Sequence, residues 1–177
     1  MKYRLLTGIL IIVNLHVTQA QISYPVPQKN GKMLFYLQRS FNKNTIIFET
    51  ELLADNKLNS ERPINMHWIR YEEDGRTSEL SFFQRKIFGM RCTSIDNSKS
   101  SFLLINSRMS MLKIIVRKSA LGNYKAYLEI NKQMTELERI FIKATNNSLG
   151  IPISFEYIEV SGILTESGRL NTERIIL

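Results

Sequence analysis

Between Pro63 and Gly89 the chain reads PINMHWIRYEEDGRTSELSFFQRKIFG, and the first half of that stretch fits one backbone period best. Ile64, Met66, Trp68 and Arg70 fall on one side of an extended strand, and Asn65, His67, Ile69 and Tyr71 on the other, the two-residue alternation of a β-strand. Trp68 is therefore expected to anchor a core. Pro63 suits a first strand position because it has no N–H to donate, and Glu72-Glu73-Asp74-Gly75 carries the turn chemistry that ends the strand. Beyond it, Leu80, Phe83, Ile87 and Phe88 recur at helical spacing, so Ser78–Ile87 reads as a short helix or irregular turn closed by Gly89, with Ser81-Phe82-Phe83 equally open to a strand.

The remainder reads as strands placed around that stretch. Met33–Ser40 and the β-branched and aromatic run Thr45–Glu51 form an expected hairpin. Leu112, Ile114 and Val116 alternate with polar or outward neighbours, and Gly122-Asn123 turns the chain into Tyr124–Ile130, a second hairpin. Met90–Ile95, Phe102–Ile105, Glu138–Lys143, Ile153–Gly162 and Glu173–Leu177 supply further strands. The expectation is an all-β fold: a single antiparallel β-sandwich or flattened barrel of about nine or ten strands, with one or two short helices.

The domain limits follow from the N-terminus. Lys2 and Arg4 precede the apolar run Leu5–Val13, and Thr18-Gln19-Ala20 offers small residues for cleavage, so residues 1–20 read as a signal peptide and the product as exported, periplasmic or secreted. The run is too short to span a bilayer, and no stable membrane span is expected after cleavage. Residues 21–32, with two prolines and a glycine, read as a flexible lead-in, and residues 33–177 as the single β domain. Without Lys2 and Arg4, 22 basic residues against 16 acidic ones leave a net charge of +6. The basic residues are dispersed and alternate with apolar ones, which argues for solvated strand faces and against nucleic acid. A monomer is expected. Asn146-Asn147-Ser148 matches a glycosylation sequon, a pattern too short to carry weight.

Reactive chemistry is sparse. Cys92 is the only cysteine, so no internal disulfide can form, and a buried inert thiol is expected there. His67 is the only histidine past the leader, too little for a catalytic triad or for a zinc site. No catalytic residue, metal or cofactor is expected. Charged residues that share strand faces with large apolar ones are more informative. Arg39 follows Phe35 and Leu37, Arg70 follows Trp68, Arg139 accompanies Phe141, and Glu159 follows Phe155 and Tyr157. Such charges must be paired, hydrogen-bonded or near water. One reading has Arg39, Arg70 and Arg85 meet Glu159, Glu79 or Glu138 in structural ion pairs. The other gathers Arg39, Arg70 and Arg85 with Trp68, Tyr71 and Glu159 in a ligand-binding cleft, where forked guanidinium donors would hold a carboxylate, phosphate or acidic sugar.

The order FYLQRS–NKNT, PINMHWIRYEEDG, ELSFFQRKIFG, ERIF and EYIEVSG–ERII resembles an uncharacterised family of exported bacterial domains, the domain of unknown function numbered four-eight-three-three. The resemblance spans Met33 to Ile176. It implies a single exported domain and brings no activity, cofactor or catalytic residue with it. The function expected is thus a non-enzymatic module that binds an anionic small molecule, a glycan or an envelope protein. Two alternatives stand beside it. One is a hydrolase of cell-envelope material using acids such as Glu72, Glu79 or Glu159; the other is a structural domain of an envelope assembly, signalled by a free edge strand or an apolar patch.

Overall fold

The computed structural model describes residues 23–98, 100–146 and 152–177. The expected signal peptide and most of the sequon lie outside these residues. Eleven strands and one short helix follow in the order β1 (Met33–Arg39), β2 (Asn42–Thr50), β3 (Ile64–Arg70), β4 (Arg76–Glu79), α1 (Phe82–Phe88), β5 (Arg91–Ser94), β6 (Phe102–Asn106), β7 (Met109–Lys118), β8 (Tyr124–Ile130), β9 (Gln133–Asn146), β10 (Pro152–Leu164) and β11 (Leu170–Ile176). All belong to one sheet, ordered β4-β3-β2-β1-β9-β8-β7-β6-β5, with β10 on β9 and β11 on β10. The sheet curls into a half-barrel, where two stacked sheets or a flattened barrel were expected.

The expected antiparallel sheet is corrected to a mixed one, because β1 and β9 run parallel, Tyr36 opposite Arg139 and Arg39 opposite Ile142. The long β9 explains how. Its first half pairs with β8 and its second with β1, while β10 runs along its other edge. Between the halves the register against β10 shifts at Ser161/Gly162. The extra residue on β9 lets both Leu137 and Ile140 point into the core, each with no exposed surface, which strict alternation forbids. Gly162 is required at this crossing: a Cβ there would sit 2.1 Å from the Glu136 carbonyl oxygen.

The inner face of the curl is one continuous core. Phe35 stacks on Phe48 with ring centroids 4.4 Å apart, and Leu37, Ile46, Trp68, Ile140, Ile142, Leu104, Ile114 and Leu128 join the same cluster. Trp68 is 2 % exposed, as its strand phase requires. The helix starts four residues later than the spacing suggests, since Arg76–Glu79 forms β4 first. Ser81 caps it by accepting from the Gln84 N–H, the Gln84 side chain reaches back to the Ser81 N–H, and Gly89 ends it. Phe88 packs edge-on against Trp68, and the buried Asn106 of β6 donates to the Ile87 and Gly89 carbonyls. The helix thereby ties the two wings of the sheet together across their open side.

Residues 23–32, expected as a flexible lead-in, lie against the outer face of the sheet. Tyr24 meets Phe141 edge to face at 5.2 Å, Pro27 is buried, and the Pro25 carbonyl accepts from Gln38 Nε2 at 2.7 Å. Lys29 pairs with Glu138. Among the described residues no helix is long and apolar enough to cross a membrane.

Candidate functional site

Strand phase places Arg39 on β1 and Arg70 on β3 at the same end of the inner face, on either side of Trp68. The Arg39 Cζ lies 6.0 Å from the Trp68 ring centroid and 5.8 Å from that of Phe88, and the Arg70 Cζ lies 5.3 Å from the same indole. Two cations therefore converge on one buried aromatic wall, where the negative ring faces favour them. The indole N–H donates to Gln84 Oε1 at 3.0 Å, which fixes the ring from the helix side.

The two arginines differ in how they are satisfied. Arg70 donates from Nε to Ser78 Oγ at 2.9 Å and faces Glu73 at 3.8 Å. Arg39 forms no ion pair with any described residue, and its buried Nε has no hydrogen-bond partner. Burial lowers the Arg39 pKa from its ordinary value; Glu72 offsets part of that at longer range, and Arg70 adds to it. Glu72 itself accepts from the Lys43 N–H, and its own N–H is held by Asn44. The side chain as a whole is half-buried, and the costly part of the arrangement is the Nε–H, which is taken from water without an acceptor in return.

The other expected site residues lie elsewhere. Tyr71, one residue past β3, falls by strand phase on the side away from Trp68, as Tyr36 does on β1, and burial raises the pKa of both phenols. Arg85 pairs with Glu79 and donates from Nε to the Leu80 carbonyl at 3.0 Å. Glu159 sits on the outer face between Arg174, at 2.8 Å, and Arg139, at 3.5 Å. Arg139 also donates to Gln38 Oε1 at 2.9 Å, and the two guanidinium groups lie over Phe141 and Tyr157. The structure thus brings together Arg39, Trp68 and Arg70, but not Tyr71, Arg85 or Glu159. Of the ion pairs expected among Arg39, Arg70 and Arg85, that of Arg85 with Glu79 forms, whereas Arg70 faces Glu73, Glu138 pairs with Lys29, and Glu159 is taken by Arg139 and Arg174.

Phe88 and Gln84 complete the wall and were not expected there. The Ser81-x-x-Gln84 capping pattern is the signal that would have placed them, because it fixes the helix phase. Cys92 is half-buried, and burial pushes its thiol up to about 11, away from reactivity at neutral pH. No cluster of three metal-ligating side chains occurs among the described residues.

Fold and site together define a curled, mostly β domain whose inner face ends in an arginine-flanked tryptophan. The chain belongs to the family described as a domain of unknown function, DUF4833, whose model matches residues 35–174. Comparison with curated proteins and with solved structures gives no match.

Proposed function

We propose that the protein is an exported binding module that takes the anionic group of a small molecule or glycan at the Arg39–Trp68–Arg70 end of its inner face. The observation that carries this reading is Arg39: a guanidinium between two aromatic rings, without a carboxylate partner and with an unpartnered buried Nε. A ligand carboxylate or phosphate would supply the missing acceptor, and Arg70 would add a second donor to it. The rings exclude water and so strengthen both contacts. Export rests on the three-part leader in the sequence. Calorimetric titration with inorganic phosphate, glucuronate and uncharged glucose tests the reading. At least one of the two anions is expected to bind the wild type, glucose is not, and Arg39→Met and Arg70→Met each weaken the binding about tenfold or more. Neither anion binding, or anion binding that both variants retain, overturns it.

A second reading, a structural part of an envelope assembly, draws on β11. Among the described residues that strand pairs as a strand only with β10, Asn131 alone reaching its Thr172 carbonyl and Glu173 carboxylate, and its end residues Leu170 and Ile176 are 69 % and 73 % exposed. Concentration-dependent sedimentation that Ile176→Lys abolishes would favour it. The hydrolase reading has less support, because Glu72, Glu79 and Glu159 are engaged separately, with Lys43, Arg85 and the Arg139–Arg174 pair.

A further inference from the structure

On the far side of Trp68 from Arg39, a groove of about 500 Å³ opens between the wings of the half-barrel. Its volume falls in the range of small-molecule sites, about 300–1,000 Å³. Met66 of β3, Met90 ahead of β5 and Ile105 of β6 line it, and the two methionines are partly buried extensions of the main core. The charged part of the wall is basic, with Arg85 and Lys86 from the last turn of α1 and Arg91 from β5, and Gly89, Ser107 and Ser110 complete the lining. Among the described residues no acidic side chain lines the groove. Arg85 has Glu79 as a partner, whereas Lys86 and Arg91 are exposed and form no ion pair among the described residues.

The walls are held in place. Asn106 donates from Nδ2 to both carbonyls at the end of α1, at 3.0 and 2.7 Å, and its Oδ1 accepts from the Arg108 and Met109 N–H groups. Gly89 lets the chain leave the helix against its own last turn, since a Cβ there would lie 2.2 Å from the Arg85 carbonyl oxygen. That bracket joins the α1 side of the groove to its β6 side.

A fixed groove with apolar side chains along it and cations around it matches one ligand chemistry. Apolar lining alone would accept any greasy molecule, and surface lysines alone any anion; together they select a molecule carrying both parts. We infer that this groove binds an anionic amphiphile, with an acyl or similar apolar body against Met66, Met90 and Ile105 and a carboxylate or phosphate head at Lys86 and Arg91. The site goes beyond the proposed Arg39 function and does not depend on it, because Arg39 takes no part in the groove.

The experiment is calorimetric titration of the protein with dodecanoate and dodecyl phosphate below their micelle concentrations. Dodecyltrimethylammonium serves as the opposite-charge control and inorganic phosphate as the tail-free control. At least one anionic amphiphile is expected to bind with one-to-one stoichiometry, and which of the two binds tighter separates a carboxylate ligand from a phosphate one. The cationic amphiphile and inorganic phosphate are expected to give no heat that Lys86→Ala/Arg91→Ala removes. That double variant alters only exposed side chains, so it keeps the wild-type circular dichroism spectrum while anionic-amphiphile affinity falls about tenfold. Arg39→Met leaves the affinity unchanged, which keeps this result separate from the Arg39 reading. Absence of binding by both anionic amphiphiles, equal binding of the cationic one, or affinity unchanged in the double variant overturns the inference.

Discussion

Arg39 and Arg139 lie on neighbouring parallel strands and both rest against aromatic rings, yet they sit on opposite faces of the sheet and in opposite electrostatic states. On the outer face Arg139 has Gln38 and Glu159 as acceptors, and Arg174 shares the carboxylate. On the inner face Arg39 has two rings and no acceptor at its Nε. The outer arrangement closes on itself and contributes to structure. The inner one is open by one hydrogen-bonding partner, which is what a ligand anion would provide. An arginine on an apolar strand face is therefore no evidence of function until its acceptors are counted.

The largest expected effect is on the wall the inner arginines share. Trp68→Ala removes a side chain with almost no exposed surface and should cost about 3–5 kcal/mol in denaturant unfolding. The Arg139–Glu159 contacts on the outer face should survive at moderate denaturant, readable as retained Arg139 side-chain resonances. A loss under about 1 kcal/mol would mean that the indole does not anchor the core.

Charge substitutions sharpen the comparison at smaller magnitude. Glu159→Gln leaves Arg139 and Arg174 without their carboxylate and should lower stability by about 1 kcal/mol, the size expected of a partly exposed charged pair. Arg39→Met removes a cation with no partner and leaves a flexible apolar chain against Trp68 and Phe88, so stability should stay within about 1 kcal/mol of wild type. If the inner substitution proves the more damaging of the two, the contrast between the faces fails.

The alternation of side chains along Ile64–Arg70, the hairpins β1–β2 and β7–β8 and the burial of Trp68 were all legible in the sequence, because each depends on neighbours a few residues apart. The first half of β9 was not. Asn131 and Lys132 adopt φ of 50° and 61° in a tight turn, and Gln133–Leu137 continues directly, with a buried Thr135 bonded to Asn171 where an apolar residue would have marked a strand. The parallel β1–β9 pair joins residues about a hundred positions apart, and nothing in local periodicity encodes such a partner. The same distance explains the site. Arg39 and Arg70 share a face with Trp68 by strand phase alone, whereas Glu159 was grouped with them although Ile158 and Val160 on either side of it are buried in the core, which turns Glu159 to the outer face opposite Phe141.

The smallest effect concerns Cys92, where burial acts without any neighbouring charge. With its thiol pushed from 9.0 up to about 11, alkylation by iodoacetamide at pH 8 should run about a hundredfold slower than for an exposed cysteine. The native state holds the proton longer than the unfolded chain, so this group's contribution to stability is complete below pH 9 and is lost as pH rises from 9 to 11. Subtracting the profile of Cys92→Ser isolates that decline from the tyrosines that titrate nearby.

The most direct test of the contrast is nitrogen-15 NMR of the arginine Nε–H groups during titration with inorganic phosphate. The Arg39 signal should move saturably, with Arg70 following, while that of Arg139, already bonded to Gln38, stays in place. Equal small shifts at all three, or an Arg39 signal that never moves, would contradict the account.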